Sequence, residues 1–129
     1  MVIRLQPQNR NGMLTLEAIV ALSILALTSI PLSYAFYHEG KTARSCYHRA
    51  VALEVVDGEM EVLVAKRVRK VGTPLKLGRY PWIVRAAAAT NLPPGEFVLD
   101  VSEKKLRLAW QPLVRRGSGG EVIREVQLP

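Results

Sequence analysis

The chain reads as an α+β protein: one long N-terminal helix followed by a small antiparallel sheet of three to four strands. Two observations predict this. Apolar residues run almost unbroken from Met13 to Phe36 and then recur at helical spacing as far as Leu63, whereas beyond Thr73-Pro74 the apolar period drops to two. Four segments follow: a basic leader over 1–12, an apolar helix over 13–36, its amphipathic continuation over 37–70, and a small β domain over 71–129.

The apolar segment comes first. At 1.5 Å per residue, Met13 to Phe36 spans about 36 Å as a helix, enough to cross a hydrocarbon core about 30 Å thick with some tilt. One carboxylate, Glu17, interrupts it five residues in. On insertion scales an acid at the bilayer centre costs about 2.5 to 3.5 kcal/mol, so an intramembrane Glu asks for a partner. Cutting the chain after Gly12 would expose an α-amine on Met13, one helical turn before Glu17. Pro31 deletes one backbone hydrogen bond and predicts a bend, with Thr28, Ser29 or Ser33 available to re-satisfy the freed carbonyl. Ala18, Ala21, Ser23 and Ala26 offer small-residue surface for close helix contact.

Other readings of the N-terminus compete. A secretory signal would take Arg4 and Arg10 as its charged end, 18–30 as its apolar run and Ser33-Tyr34-Ala35 as its cleavage site, releasing a soluble binding module or small hydrolase from Phe36. It leaves Glu17 and the excess apolar length unexplained. A plain single-pass anchor treats Glu17 as an incidental interfacial acid. Charge does not orient the helix, because Arg4 and Arg10 on one flank face Lys41, Arg44 and Arg49 on the other.

The run of a short basic leader, Gly12, a large apolar Met13 and Glu17 at the fifth position of a long apolar helix resembles the N-terminal segment of type IV prepilins and type II secretion pseudopilins. Met13 and Leu14 stand where the family more often has Phe and Thr. The resemblance implies cleavage after Gly12 by a prepilin peptidase, N-methylation of Met13, and a contact between Glu17 and the terminal amine of a neighbouring subunit. It also implies an inner-membrane precursor with its C-terminal domain in the periplasm. Its partners would be other pilin-like subunits, an inner-membrane assembly platform and membrane lipid. Among subtypes, the short sheet domain, the stretch Gly78-Arg79-Tyr80-Pro81-Trp82 and the Val-rich strands look most like a minor pseudopilin of the I type, and Glu17 speaks against the K-type tip subunit. A minor pilin of a type IV pilus or competence system is the alternative within the same class.

Composition bounds the remainder. About 93 residues follow Phe36, enough for one small domain near the size at which a single core is marginal. The single cysteine, Cys46, excludes an internal disulfide. It falls on an apolar stripe of Ala43, Cys46, Ala50, Leu53, Val56, Met60 and Leu63, and is expected as a buried structural thiol. Lys41, Arg44, Arg49, Glu54, Glu59, Glu61 and Lys66 make the opposite, solvated face. Gly40 and Asp57-Gly58 weaken the helix, and one of them is expected to mark a break.

His38 and His48 lack zinc-ligand spacing. Asp57, Glu59 and Glu61 would ligate calcium only if the backbone left helical geometry, so no metal or other cofactor is expected. The net charge of +7 falls to +5 when Arg4 and Arg10 leave with the leader. The cluster Lys66-Arg67-Val68-Arg69-Lys70 suits a solvated helix C-terminus and lacks interleaved aromatics, which makes nucleic acid an unlikely partner. No nucleophile elbow, phosphate-cradling loop or Ser-His-Asp grouping suggests an enzyme.

Strands are expected at Tyr80–Thr90, over Phe97, Leu99 and Val101, over Leu106, Leu108 and Trp110, and at Glu121–Leu128. A hairpin should turn at Glu103-Lys104. Pro93-Pro94-Gly95 and Arg115-Arg116-Gly117-Ser118-Gly119-Gly120 are loops, the second expected to be flexible.

Overall fold

The computed structural model describes residues 10–129, with side chains from Gly12 onward. Most of the leader, including Arg4, lies outside the described residues. Helix α1 runs Arg10–Arg69, followed by strands β1 (Gly78–Trp82), β2 (Gly95–Val101), β3 (Lys105–Pro112) and β4 (Val122–Gln127), with a short 3₁₀ turn at Ala87–Asn91 between β1 and β2. The four strands form one antiparallel sheet in the order β1-β2-β3-β4. This is the α+β architecture expected from the two periodicities. The chain divides into two compact units, one ending at Glu39 and the other covering Gly40–Pro129.

In the second unit the later turns of α1 supply Ala52, Val56, Met60 and Leu63 to a core completed by Leu99, Val101, Leu106, Leu108, Trp110 and Val122. The strand contribution follows period two, so alternate residues of β2 and β3 face the helix. Phe97 and Trp110 stack with ring centroids 4.7 Å apart. Gly95 makes room for this pair, since a Cβ there would lie 2.4 Å from the Trp110 ring.

The helix face that meets the sheet differs from the expected stripe. Ala43, Cys46 and Ala50 are exposed and Leu53 is half-buried, whereas Val56, Met60 and Leu63 are buried. The reason is drift. The expected stripe advances by about 3.3 residues per step, short of the helical 3.6, so its early members rotate out of the covered face. The line that is covered runs Ser45, His48, Ala52, Val56, Glu59 and Leu63, which averages about 3.6. Cys46 is therefore a surface thiol and not a core residue.

α1 continues through Gly40 and Gly58 without the expected break. At Gly58 the flanking Val55, Val56 and Met60 are buried, and their packing outweighs a glycine penalty of about 1 kcal/mol. The helix ends at Lys70, which adopts φ 51°, and the Val71 N–H donates back to the Lys66 carbonyl at 3.3 Å. That is a Schellman-type stop with lysine in the left-handed position usually held by glycine. Lys66, Arg67 and Arg69 fill the last turn, where the helix dipole favours cations.

The expected strand Tyr80–Thr90 is shorter than its apolar run. β1 stops at Trp82, and Ala87-Ala88-Ala89-Thr90-Asn91 coil into the 3₁₀ turn. Alanine and asparagine are poor strand formers. Pro81 lies within β1 and pairs with Val98, which is tolerated because β1 is an edge strand. The β2–β3 hairpin turns at Glu103-Lys104 as expected, closed by the Ser102 N–H donating to Lys105 O at 2.9 Å. The 115–120 loop, expected to be flexible, docks on α1: Ser118 is 2% exposed and Arg49 Nη1 donates to Gly119 O at 3.1 Å.

Candidate assembly helix

Every side chain from Gly12 to Arg44 is exposed. The apolar part is rich in leucine, alanine and isoleucine, and the helix is long and apolar enough to cross a membrane. Apolar groups point in all directions around it: Leu14, Ile19, Leu22, Leu25, Leu27 and Ile30 are each more than half exposed. A helix apolar on all sides needs surroundings that are apolar on all sides.

Its polar side chains are arranged to suit such surroundings. The hydroxyls of Ser23, Thr28, Ser29 and Ser33 donate to the carbonyls of Ile19, Ile24, Leu25 and Ser29 at 2.6 to 3.0 Å. Each hydroxyl thus bonds to the turn before it and presents hydrocarbon outward. This differs from the expected rescue at Pro31, because the carbonyl freed there belongs to Leu27 and these hydroxyls are committed elsewhere. α1 nevertheless continues through Pro31.

Gly12, Met13 and Glu17 all lie within α1. Met13 and Glu17 stand four residues apart on one helical face, so their Cα atoms are separated by about 6 Å along the axis. Met13 is 75% exposed and Glu17 is exposed. Nothing in local packing requires glycine at position 12: a Cβ there would meet no atom within 4 Å. Glu17 is the sole formally charged side chain from Met13 to Tyr37. At a helix start it would also meet the positive end of the dipole. A chain beginning at Met13 would therefore place an ammonium and a carboxylate on successive turns of a helix otherwise made for an apolar medium.

The second unit carries polar pins that sequence reasoning missed. The Arg124 guanidinium donates to both oxygens of Asp57, Nη2 to Oδ2 at 3.1 Å. That donation holds the Asp57 carboxyl below the usual carboxylate range. Trp82 Nε1 donates to Glu59 Oε2 at 3.3 Å. Two of the three acids weighed as calcium ligands are thus engaged in holding strands to the helix. Burial pushes the Tyr80 phenol up, partly offset by the nearby charge of Arg67. These partners are 23 and 67 residues apart in sequence, a separation that no local motif announces.

No family model, no curated protein and no solved structure matches this chain. The fold itself, one long apolar N-terminal helix followed by a small antiparallel sheet, is consistent with a pilin-like architecture.

Proposed function

We propose that this chain is a structural subunit rather than an enzyme: a minor pseudopilin of a type II secretion system. A prepilin peptidase cuts it after Gly12 and methylates Met13, and the subunit assembles through its N-terminal helix. The observation that carries the reading is Glu17, a single carboxylate five residues from the cut on a helix whose side chains are exposed and apolar on every side. Left alone in lipid, this carboxylate is costly. Against the Met13 ammonium of a neighbour it becomes half of an ion pair, and breaking such a pair in apolar surroundings costs about 3 to 5 kcal/mol. The penalty thereby becomes a preference for one axial register. In this reading the precursor sits in the inner membrane with its sheet domain in the periplasm, and the assembly platform extracts it into a short filament.

The test is the N-terminus of the protein recovered from membranes of a host with a working prepilin peptidase. Mass spectrometry should find a methylated Met13. A chain starting at Phe36 would establish secretory export instead, and an intact Met1 an ordinary anchor. Glu17→Ala should still insert but fail to enter filaments in normal order, and a normally assembled variant would defeat the pairing.

A further inference from the structure

Strand register brings two chain segments, the β1–β2 and β3–β4 connections, to one end of the sheet. Trp82 pairs with Phe97, Gly95 with Pro112 and Trp110 with Val122. The segments leaving β1 and β3 and those entering β2 and β4 therefore share that end. The Leu113 N–H donates to the Pro94 carbonyl at 3.0 Å, fixing the first residue beyond β3 beside the approach to β2. Here stand three large apolar side chains that the core does not use: Ile83 at 86% exposed, Leu113 at 73% and Val114 at 65%. β1 and β3 are two strand spacings apart, about 10 Å, so these tips share one small surface. Arg85, Arg115 and Arg116, all exposed, accompany them. Two acids lie at this end, Glu96 and Glu121, and Glu121 accepts a hydrogen bond from Gln111 Nε2 at 2.9 Å.

A lone exposed aliphatic residue is ordinary. Exposed apolar tips on two separate segments, each followed within three residues by exposed arginine, are the chemistry of a surface that settles into a bilayer interface, where the tips enter the acyl boundary and guanidiniums meet phosphates. The patch is made of strand ends and loop tips. The chain also restricts how far it can travel. Arg49 holds Gly119 in the same loop as Val114. From Phe36 to Arg49 the chain reaches at most about 45 Å even when fully extended.

We propose that this end of the sheet docks on the anionic phospholipid headgroups of the bilayer that holds the N-terminal helix, with Ile83, Leu113 and Val114 inserted and Arg85, Arg115 and Arg116 on phosphates. The proposal rests on reading 13–36 as a membrane span. Docking holds the sheet domain of an unassembled subunit against the membrane, and extraction must release it.

The full chain carrying Cys46→Ser and a single environment-sensitive fluorophore on Val114→Cys is reconstituted into vesicles of phosphatidylcholine alone or with phosphatidylglycerol. A second preparation carries the probe on Ser102→Cys, in the turn at the opposite end of the sheet. With phosphatidylglycerol the 114 probe should shift to the blue and be quenched by headgroup nitroxides, while the 102 probe stays water-like. Reversing Arg85, Arg115 and Arg116 to Glu should lower surface occupancy by more than about a hundredfold, at about fivefold or more for each arginine. Raising salt to about 1 M, where the Debye length is about 3 Å, should also weaken docking. A 114 probe that stays wet in phosphatidylglycerol overturns the proposal, as does equal burial in neutral lipid or in the triple variant. Protection that appears only in cell membranes overturns it in favour of a protein neighbour. Carbonate extraction of the same vesicles tests the span separately. A retained chain with a wet 114 probe sinks docking alone, whereas a stripped chain sinks the span on which it rests.

Discussion

The two parts of α1 put their apolar residues to opposite uses. From Met13 to Phe36 the sequence is almost wholly apolar, and no side chain is buried. From Val51 to Leu63 it is interrupted by Glu54, Asp57, Glu59 and Glu61, yet Val51, Ala52, Val55, Val56, Met60 and Leu63 are buried. Burial within the chain follows the distribution of apolar groups around the helix and not their number. A sheet covers one side of a helix, so one stripe is enough for it, while a helix apolar all round can be satisfied only by lipid or by several neighbouring helices.

The largest test of this contrast is a pair of matched truncations. Leu108→Ala empties a fully buried site in the interior strand β3 and should cost about 2 to 5 kcal/mol, a large share of the stability of so small a domain. Leu25→Ala, 65% exposed, should leave the unfolding midpoint of the sheet domain within about 0.5 kcal/mol of its original value. Denaturant titration of the detergent-solubilised chain, read by the fluorescence of Trp82 and Trp110, measures both. A comparable loss in the Leu25 variant would show that the N-terminal segment contributes to the domain's core.

Glycines provide the next test. An added methyl at Gly95 would meet Trp110 Cη2 at 2.4 Å and the Gln111 carbonyl oxygen at 2.6 Å. Backbone on one side and a packed ring on the other cannot both yield, so Gly95→Ala should destabilise by about 1 to 3 kcal/mol. At Gly58 the same methyl meets nothing within 4 Å on a helical backbone, and Gly58→Ala should stabilise by about 0.5 to 1 kcal/mol. Thermal melts of the two variants should therefore move in opposite directions.

Much of this division was legible in the sequence, and the failures share a physical origin. The apolar run ending at Phe36 and the alternation through Leu99, Val101, Leu106 and Leu108 are local signals, each repeated often enough to fix an element. So is the hairpin at Glu103-Lys104. Helix phase was misjudged because small errors in spacing accumulate over several turns, which moved Cys46 from an expected core position to the surface. The strand expected to continue to Thr90 stops at Trp82, before Ile83 and Val84, and the alanine run beyond them coils into the 3₁₀ turn because it has little to offer a pleated surface. The 115–120 loop was read from its glycines as flexible, but its order comes from Arg49, 70 residues away in sequence. Of the candidate site, Met13 and Glu17 needed only helical geometry to be placed on one face. The apolar tips at Ile83, Leu113 and Val114 needed strand register, which periodicity alone does not supply.

The smallest expected effect concerns the Asp57–Arg124 pin, which joins helix to edge strand in the self-packed unit. Arg124 lowers the Asp57 carboxyl from its ordinary value. A depressed carboxylate contributes stability that is fully present above the unfolded value, about 3.9, and is lost as pH falls through the lower folded value. Near neutrality the group is ionised in both states and imposes no slope. Both side chains are about half exposed, so solvent and salt screen much of the attraction and the effect should rank below the core and glycine changes. Denaturation midpoints of the parent and Asp57→Asn, followed from pH 7 downward, should keep a constant separation until about pH 4 and then converge. The separation should also narrow in concentrated salt. A gap that persisted unchanged into strong acid would mean that Asp57 acts by packing or hydrogen bonding without its charge.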